Sequence, residues 1–222
     1  MVACVLQFIL LFKIYHVTAD NSSRRKLCLS SLIMNEILAA IRKFADEAHG
    51  EQKRKYTPER YIVHPVRVME LCEKYTTELP VLGAALLHDV LEDTKVGQKE
   101  LHQFLQSIMT KEDASRTTSL VVELTDVYTK TAYPRWNRRK RKRKESERIQ
   151  KTSGDSQTIK YADIIDNCKE IVEHDPDFAG LFLMECRSLL GVMKNGNEEL
   201  RNEAVVTVDH CLQKVPRKFR RD

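Results

Sequence analysis

The sequence predicts an all-α bundle, and three observations carry that expectation. Apolar residues recur at three- and four-residue spacing along most of the chain. No segment alternates in the manner of a half-buried strand, and no internal repeat is visible. Only seven Gly and six Pro interrupt 222 residues, so turns are few and helices long. A chain of this length suits one domain with a sizeable core.

The elements follow in order. Ile33, Ile37, Leu38, Ile41, Phe44, Ala45 and Ala48 mark a first helix that ends near His49-Gly50. The charged loop EQKRKYTPER follows, then Tyr61-Ile62-Val63-His64-Pro65. Pro65 suits the first turn of a helix running to about Tyr75. Pro80 opens a strongly apolar helix that stops near Thr94. Further helices are expected at about 98–109, 115–127, 136–151, 155–170, 178–194 and 197–213. The bundle domain spans 31–213, after an extension over 1–30 and before a basic tail over 214–222.

Chemistry concentrates on the fourth of these stretches, VLGAALLHDVLEDT. His88, Asp89, Glu92 and Asp93 fall within six positions of an otherwise apolar helix. Burying unpaired charge costs several kcal/mol unless a partner or a metal compensates. Glu92 is four residues from His88 and three from Asp89, and Asp93 is four from Asp89, so one helix presents an imidazole and three carboxylates as a patch. His88 and Asp89 diverge by about 100° around the helix, yet both can reach an ion that sits off its face. Imidazole with carboxylates suits Mn²⁺, Fe²⁺, Zn²⁺ or Mg²⁺ rather than a thiophilic ion.

Two ligands hold a metal poorly, and two further donors stand out. His64 lies at a helix entrance, and Asp163 lies in Ile-Lys-Tyr-Ala-Asp-Ile-Ile-Asp-Asn on a late helix. Asn167 shares the Asp163 face four residues on, and Lys160 precedes Asp163 by one turn. Taken singly, a His before Pro is ordinarily a capping or surface residue, and a lone helical Asp is ordinarily solvated. The order His, His-Asp, Asp on helices of one α domain is the stronger signal.

That order resembles the signature of HD-domain metal phosphohydrolases, and the likeness goes further. AHGEQKRKYTPERYIVHPVRV, AALLHDVLEDT, ELTD and IKYADIIDN resemble the hydrolase domain of RelA/SpoT-type alarmone enzymes, over about residues 34–170 and more weakly to 213. The resemblance implies an HD-domain helical bundle and a stand-alone small alarmone hydrolase. It implies removal of the 3′-pyrophosphate from guanosine 3′,5′-bis(diphosphate), ppGpp or pppGpp, giving GDP or GTP and pyrophosphate, with Mn²⁺ as the divalent metal. It makes His64, His88, Asp89 and Asp163 the metal ligands, and Glu92 and Asp93 the pair that orients and deprotonates the attacking water. Arg54 and Lys55 would face the substrate's phosphates or base, and Asn167 its sugar.

The chain departs from that pattern in places. The loop between His49 and His64 is one residue longer, and Arg60 stands where a small residue or Pro is usual. The late helix reads Ala-Asp-Ile-Ile-Asp-Asn where the family reads Ala-Asp-Arg/Lys-Leu-His/Tyr-Asn. These changes spare the metal ligands and fall on the base and phosphate pocket. Two other readings therefore stay open: a phosphohydrolase for an adenosine alarmone or NADPH, and a non-catalytic nucleotide- or nucleic-acid-binding protein with a vestigial site.

The net charge of +5 misleads as a guide to partners. Residues 135–148 hold nine Lys or Arg and two Glu, a local +7 that leaves the rest of the chain at −2. By composition this segment reads as a nuclear-localisation or nucleic-acid patch, as a funnel steering an anionic substrate, or as a solvated helix face. Trp136 could stack on a base or anchor the helix. A guanine nucleotide is the expected partner, and nucleic acid is not, despite the basic segment.

Six scattered cysteines with no CxxC pair favour free thiols over a disulfide framework or zinc knuckle. The apolar run Val2–Phe12 followed by Val17-Thr18-Ala19 has a signal-like look. Yet no Lys or Arg precedes it, and it is too short to span a bilayer. The alternative is an upstream extension or a mis-assigned start, with DNSSRRKLCLS, residues 20–30, as a polar linker. No membrane association is expected, and a cytoplasmic setting suits the nucleotide.

Overall fold

The computed structural model describes residues 23–216. They form an all-α bundle of ten helices: α1 Ser23–His49, α2 Val63–Glu73, α3 Leu79–Leu87, α4 Val90–Asp93, α5 Gln98–Ile108, α6 Lys111–Leu124, α7 Arg138–Ile149, α8 Gly154–His174, α9 Pro176–Val192 and α10 Glu198–Lys214. Among the described residues the only pairing of extended backbone is an isolated antiparallel bridge, Lys53 with Arg60.

The apolar spacing of α1 is the face it buries. Ile37, Leu38, Ile41 and Ala45 enter the core, and Phe44 stacks on Phe104 of α5 with centroids 4.0 Å apart. The helix ends where Gly50 turns into the left-handed region at φ +56°, a conformation that glycine adopts without steric cost. The described part of α1 starts at Ser23, so residues 23–30, within the stretch whose composition reads as a polar linker, are helical. The signal-like run lies outside the described residues, as does most of the basic tail, from 217 on.

Two helices make the centre. α3 is buried from Pro80 to Leu87 and packs against α1, α2, α6 and α8. Its Leu82, Leu86 and Leu87 are fully buried, each stabilising the fold by about 1.5–3 kcal/mol. Gly83 lets α1 approach closely, since a Cβ there would sit 3.0 Å from Ile41 Cδ1. α8 is the second centre and packs against α2, α3, α6, α9 and α10. Buried residues run along it from Ser156 to Ile171.

Side-chain caps fix several starts. The Thr110 hydroxyl accepts from Asp113 N–H, so α6 begins at Lys111, earlier than its apolar pattern suggests. Asn137, Ser153, Asp175 and Asn197 cap α7, α8, α9 and α10 in the same way. Cys72, Cys168, Cys186 and Cys211 are free and buried, as their scatter predicts. Among the described residues no helix is long and apolar enough to cross a membrane.

One expectation about the fold is corrected. The helix foreseen from Pro80 to about Thr94 is broken at His88–Asp89 into α3 and the single turn α4. Asp89 sits at φ −97°, ψ −7°, in the sparsely populated bridge region, and its carbonyl accepts from Glu92 N–H and Asp93 N–H. The break separates the four ionisable residues into two pairs that face different partners.

Candidate active site

Three helix segments bring four side chains together: the ligand atoms of His64, His88 and Asp89 all lie within 4.8 Å of one another, and Asp163 stands beside the two imidazoles. His64 comes from the first turn of α2, His88 and Asp89 from the break after α3, and Asp163 from the middle of α8. His64 Nε2 lies 3.2 Å from Asp163 Oδ1 and 3.6 Å from Asp89 Oδ2. His88 Nε2 lies 3.0 Å from Asp89 Oδ2 and 3.9 Å from Asp163 Oδ1. His64, His88 and Asp163 are buried, and Asp89 opens partly to solvent.

The chemistry of these atoms fits a divalent ion. Metal–ligand bonds of about 2.0–2.2 Å place neighbouring donor atoms roughly 3–4 Å apart, as found here. His88 Nδ1 lies 2.8 Å from the carbonyl of Ala85, so that nitrogen carries the proton and Nε2 keeps its lone pair. Nε2 is then a buried polar atom with no hydrogen-bond partner, although the Asp89 carboxylate is close. A lone pair aimed at carboxylate oxygens is unfavourable unless a cation joins them. Among the described residues His49 Nε2 is the other such orphan, away from this cluster of donors.

The electrostatics agree. Burial alone would lower the His64 pKa, but Asp163, Asp166 and Asp89 raise it to about 9. His88 is raised in the same way against its burial, chiefly by Asp89. Burial would raise the Asp89 and Asp163 carboxyls, yet the imidazoles, and for Asp163 first Lys160, hold both well below the usual carboxylate range. Without a metal the cluster attracts protons, and a divalent cation competes for the same place. The raised His64 value stabilises the metal-free fold fully below about pH 6.5, and that contribution is lost as pH rises through about 9. The melting temperature of the metal-free protein should therefore fall across that window. The increment in melting temperature from added Mn²⁺ should grow across it. Thermal melts with EDTA or Mn²⁺ at pH 6.5, 7.5 and 9 measure both, and an increment independent of pH would contradict the competition.

Side chains around the four donors hold them in place. Tyr61 Oη donates to Asp89 Oδ2 at 2.7 Å. Asn167 Nδ2 donates to Asp163 Oδ1 at 2.5 Å, and Lys160 Nζ lies 2.8 Å from Asp163 Oδ2. Burial would lower the Lys160 pKa, but Asp163 and Asp126 raise it, so its charge persists. Tyr61 was not singled out from sequence, although it stands three residues before His64, one helical turn away. Asp126, in the ELTD segment, was not singled out either.

Asp89 and Asp163 line a cleft of about 1390 Å³, larger than the ordinary small-molecule pocket, and the two imidazoles lie buried behind them. Glu92, Asp93, Lys160 and Asn167 line it. Glu92 reaches solvent yet is densely surrounded, and its Oε2 accepts from Asp126 N–H at 3.1 Å. Burial first and the Asp126 carboxylate second raise its pKa to about 6. Asp93 Oδ2 accepts from Gln52 Nε2 at 3.5 Å.

Arg54 and Lys55 are placed elsewhere and do not line the cleft. Arg54 is buried, donates to Glu170 through Nε and Nη2, and donates to Asn167 Oδ1 at 3.0 Å. Lys55 is exposed, donates to Tyr56 Oη at 2.7 Å and lies 3.3 Å from Asp175 Oδ2. The cationic wall of the cleft is α7 instead, through Arg138, Arg139, Lys140, Lys142 and Arg143. Arg138 pairs with Glu185, Lys142 with Asp126 and Arg143 with Glu147. Arg139 and Lys140 have no acidic partner among the described residues, and Lys140 Nζ lies 4.2 Å from the Trp136 ring centroid. Trp136 itself stacks on Tyr128 and packs at a tilt against Tyr133, which anchors the start of α7.

Residues 42–178 match the HD domain family, and every one of the four donors falls inside that span. The chain belongs to the HD domain family. Curated relatives of this HD domain include the guanosine-3′,5′-bis(diphosphate) 3′-pyrophosphohydrolases MESH1 of Xenopus tropicalis, 33% identical over 139 residues, and of Mus musculus, 34% identical over 134 residues. Those matches cover 60% of this chain and 69% of the frog protein, and 58% and 65% for the mouse protein. A guanosine-3′,5′-bis(diphosphate) 3′-pyrophosphohydrolase of Aquifex aeolicus is 46% identical over 61 residues, which are 28% of this chain and only 9% of that protein. The HD domain also superposes on the solved structure of a metazoan ortholog of SpoT that hydrolyzes ppGpp. The TM-score is 0.65 at 24% identity, covering 80% of this chain and 94% of the other, which supports the all-α fold.

Proposed function

We propose that this HD domain hydrolyses the 3′-pyrophosphate of guanosine 3′,5′-bis(diphosphate), with Mn²⁺ as its metal and a cytoplasmic setting. The single observation that carries the reading is the close approach of His64 Nε2, His88 Nε2, Asp89 Oδ2 and Asp163 Oδ1, with the two carboxylates lining a cation-walled cleft. The activity of the frog and mouse relatives supports the choice of substrate.

In this reading His64, His88, Asp89 and Asp163 would hold the ion. When bound, the ion lowers the pKa of a water and polarises a phosphoryl oxygen. A water would attack the phosphorus joined to the ribose 3′-oxygen, the bond between that phosphorus and oxygen would break, and the released 3′-oxygen would take up a proton from solvent, leaving pyrophosphate and a 5′-diphosphate with a free 3′-hydroxyl. Glu92 is ionised at neutral pH and accepts the water's proton, with its carboxylate held by Asp126 N–H. Asp93 supplies a second carboxylate beside it. Lys160 offers a persistent positive charge next to Asp163. Asn167 is the contact for the sugar, and Arg54 acts through Asn167 rather than on phosphate directly.

The basic segment takes its role from its place on the cleft. Clustered cations raise the local concentration of an anionic substrate and speed its arrival. Neutralising the two wall cations without acidic partners, as R139Q/K140Q, should lower kcat/KM by about 10-fold at low ionic strength and flatten its salt dependence. kcat should stay within about two-fold, as expected of steering. Initial rates across a salt series check this, and an unchanged salt slope would exclude steering by α7.

The substrate is tested with metal-loaded protein against a panel of nucleotides, reading pyrophosphate and phosphate release separately. Guanosine 3′,5′-bis(diphosphate) should yield stoichiometric GDP and pyrophosphate. Turnover confined to an adenosine alarmone or NADPH would move the specificity. Binding without turnover of any nucleotide would favour a non-catalytic protein.

A further inference from the structure

The His64 ring is gripped at both nitrogens by one helix. Asp163 and Asp166 stand three apart on α8, on the same face and one turn from each other. Asp163 Oδ1 faces Nε2 at 3.2 Å, and Asp166 Oδ2 faces Nδ1 at 2.7 Å. A carboxylate only accepts, so the short contact to Asp166 places the proton on Nδ1. In the neutral ring, the form that can bind a metal, the lone pair of Nε2 is thereby directed at Asp89 and Asp163. Both His64 and Asp166 are buried, so the pair is shielded from water.

His88 is oriented differently. Its Nδ1 lies against the backbone carbonyl of Ala85, a neutral acceptor. Asp166 offers a charged one, which makes the opposite nitrogen more basic and a stronger donor. Buried negative charge needs compensation, and the nearest is Arg54, whose Nη2 lies 3.9 Å from the same Oδ2. Arg54 is itself locked by Glu170 at 2.9 Å. The buried arginine that the cleft does not use thus has a task behind the histidine.

We infer that Asp166 is a positioning residue of the metal centre: through Nδ1 of His64 it fixes the ring and strengthens Nε2 as a donor, with Arg54 holding the carboxylate. The inference rests on the four-donor reading above, but not on the identity of the substrate. A purely structural alternative would make Asp166 and Arg54 an ion pair that stabilises the fold and leaves metal binding alone.

The test uses the full chain stripped of metal, titrated with Mn²⁺ and followed by the electron paramagnetic resonance signal of free Mn²⁺. D166N keeps size and an acceptor oxygen but removes the charge. Its Mn²⁺ dissociation constant should rise about 10- to 100-fold while its helical circular dichroism is retained. A dissociation constant within two-fold of wild type overturns the inference alone, even if the melting temperature falls. Failure of the wild type to bind Mn²⁺ overturns this inference and the four-donor reading together. Should D166N not fold, nitrogen-15 NMR of the Zn²⁺-loaded wild type decides: a His64 proton on Nδ1 supports the inference, and one on Nε2 overturns it.

Discussion

H88A is expected to yield a folded, helical protein that retains no divalent metal and turns over no nucleotide, and D89A is expected to behave alike. His88 supplies a buried lone pair with no hydrogen-bond partner, and Asp89 supplies the oxygen 3.0 Å from it. Changes to groups that merely orient ligands weaken metal binding about 10- to 100-fold, so loss of a ligand should exceed the upper end of that range. The two variants differ in stability. H88A removes an orphaned polar atom, which offsets part of the cavity it leaves in the core. D89A leaves the Tyr61 hydroxyl without the acceptor it has at 2.7 Å, so it should melt lower than H88A. Equilibrium dialysis with Mn²⁺, circular dichroism and pyrophosphate release measure the three consequences. Full activity in either variant would remove these residues from the metal centre.

The contrast between His88 and Glu92 shows what sequence spacing conveys. Periodicity located nearly every helix, because each buries one continuous apolar stripe whose spacing is local. The same periodicity joined α3 to α4, since Val90 and Leu91 continue the stripe of Leu86 and Leu87. The break at Asp89 arises from contacts the linear pattern does not contain: its bridge-region backbone, the Tyr61 hydroxyl, and two imidazoles from different segments. The four candidate ligands could be singled out because each stands out against its apolar neighbours. Asp166 was hidden, since beside Asp163 and Asn167 it reads as one more polar residue on a helix. Its meaning comes from His64, 102 positions away. Arg54 shows the reverse: a loop arginine near His64 reads as a phosphate ligand until the fold supplies Glu170, 116 positions on. The basic segment was legible in composition but not in direction, because only the packing of α7 near α9 sets it against the cleft.

E92Q separates metal binding from catalysis. Glu92 lies past the break, with its carboxylate turned to Asp126 N–H rather than to the imidazoles, so its amide analogue should bind Mn²⁺ with wild-type affinity. It cannot accept a proton, and kcat should fall by about 10²- to 10⁴-fold, the range for loss of a general base. The pH profile gives an independent reading. Burial and Asp126 raise the Glu92 carboxyl to about 6 in the metal-free protein, and a nearby cation brings it down again. The base works when ionised, so kcat of the wild type should rise with pH along a limb at or below about 6, and E92Q should lack that limb. Metal saturation must be held constant along the profile, because protons also compete at His64. Loss of Mn²⁺ by E92Q would move Glu92 among the ligands. An unaltered kcat would leave Asp93, on the same turn and lining the same cleft, as the group that takes the proton.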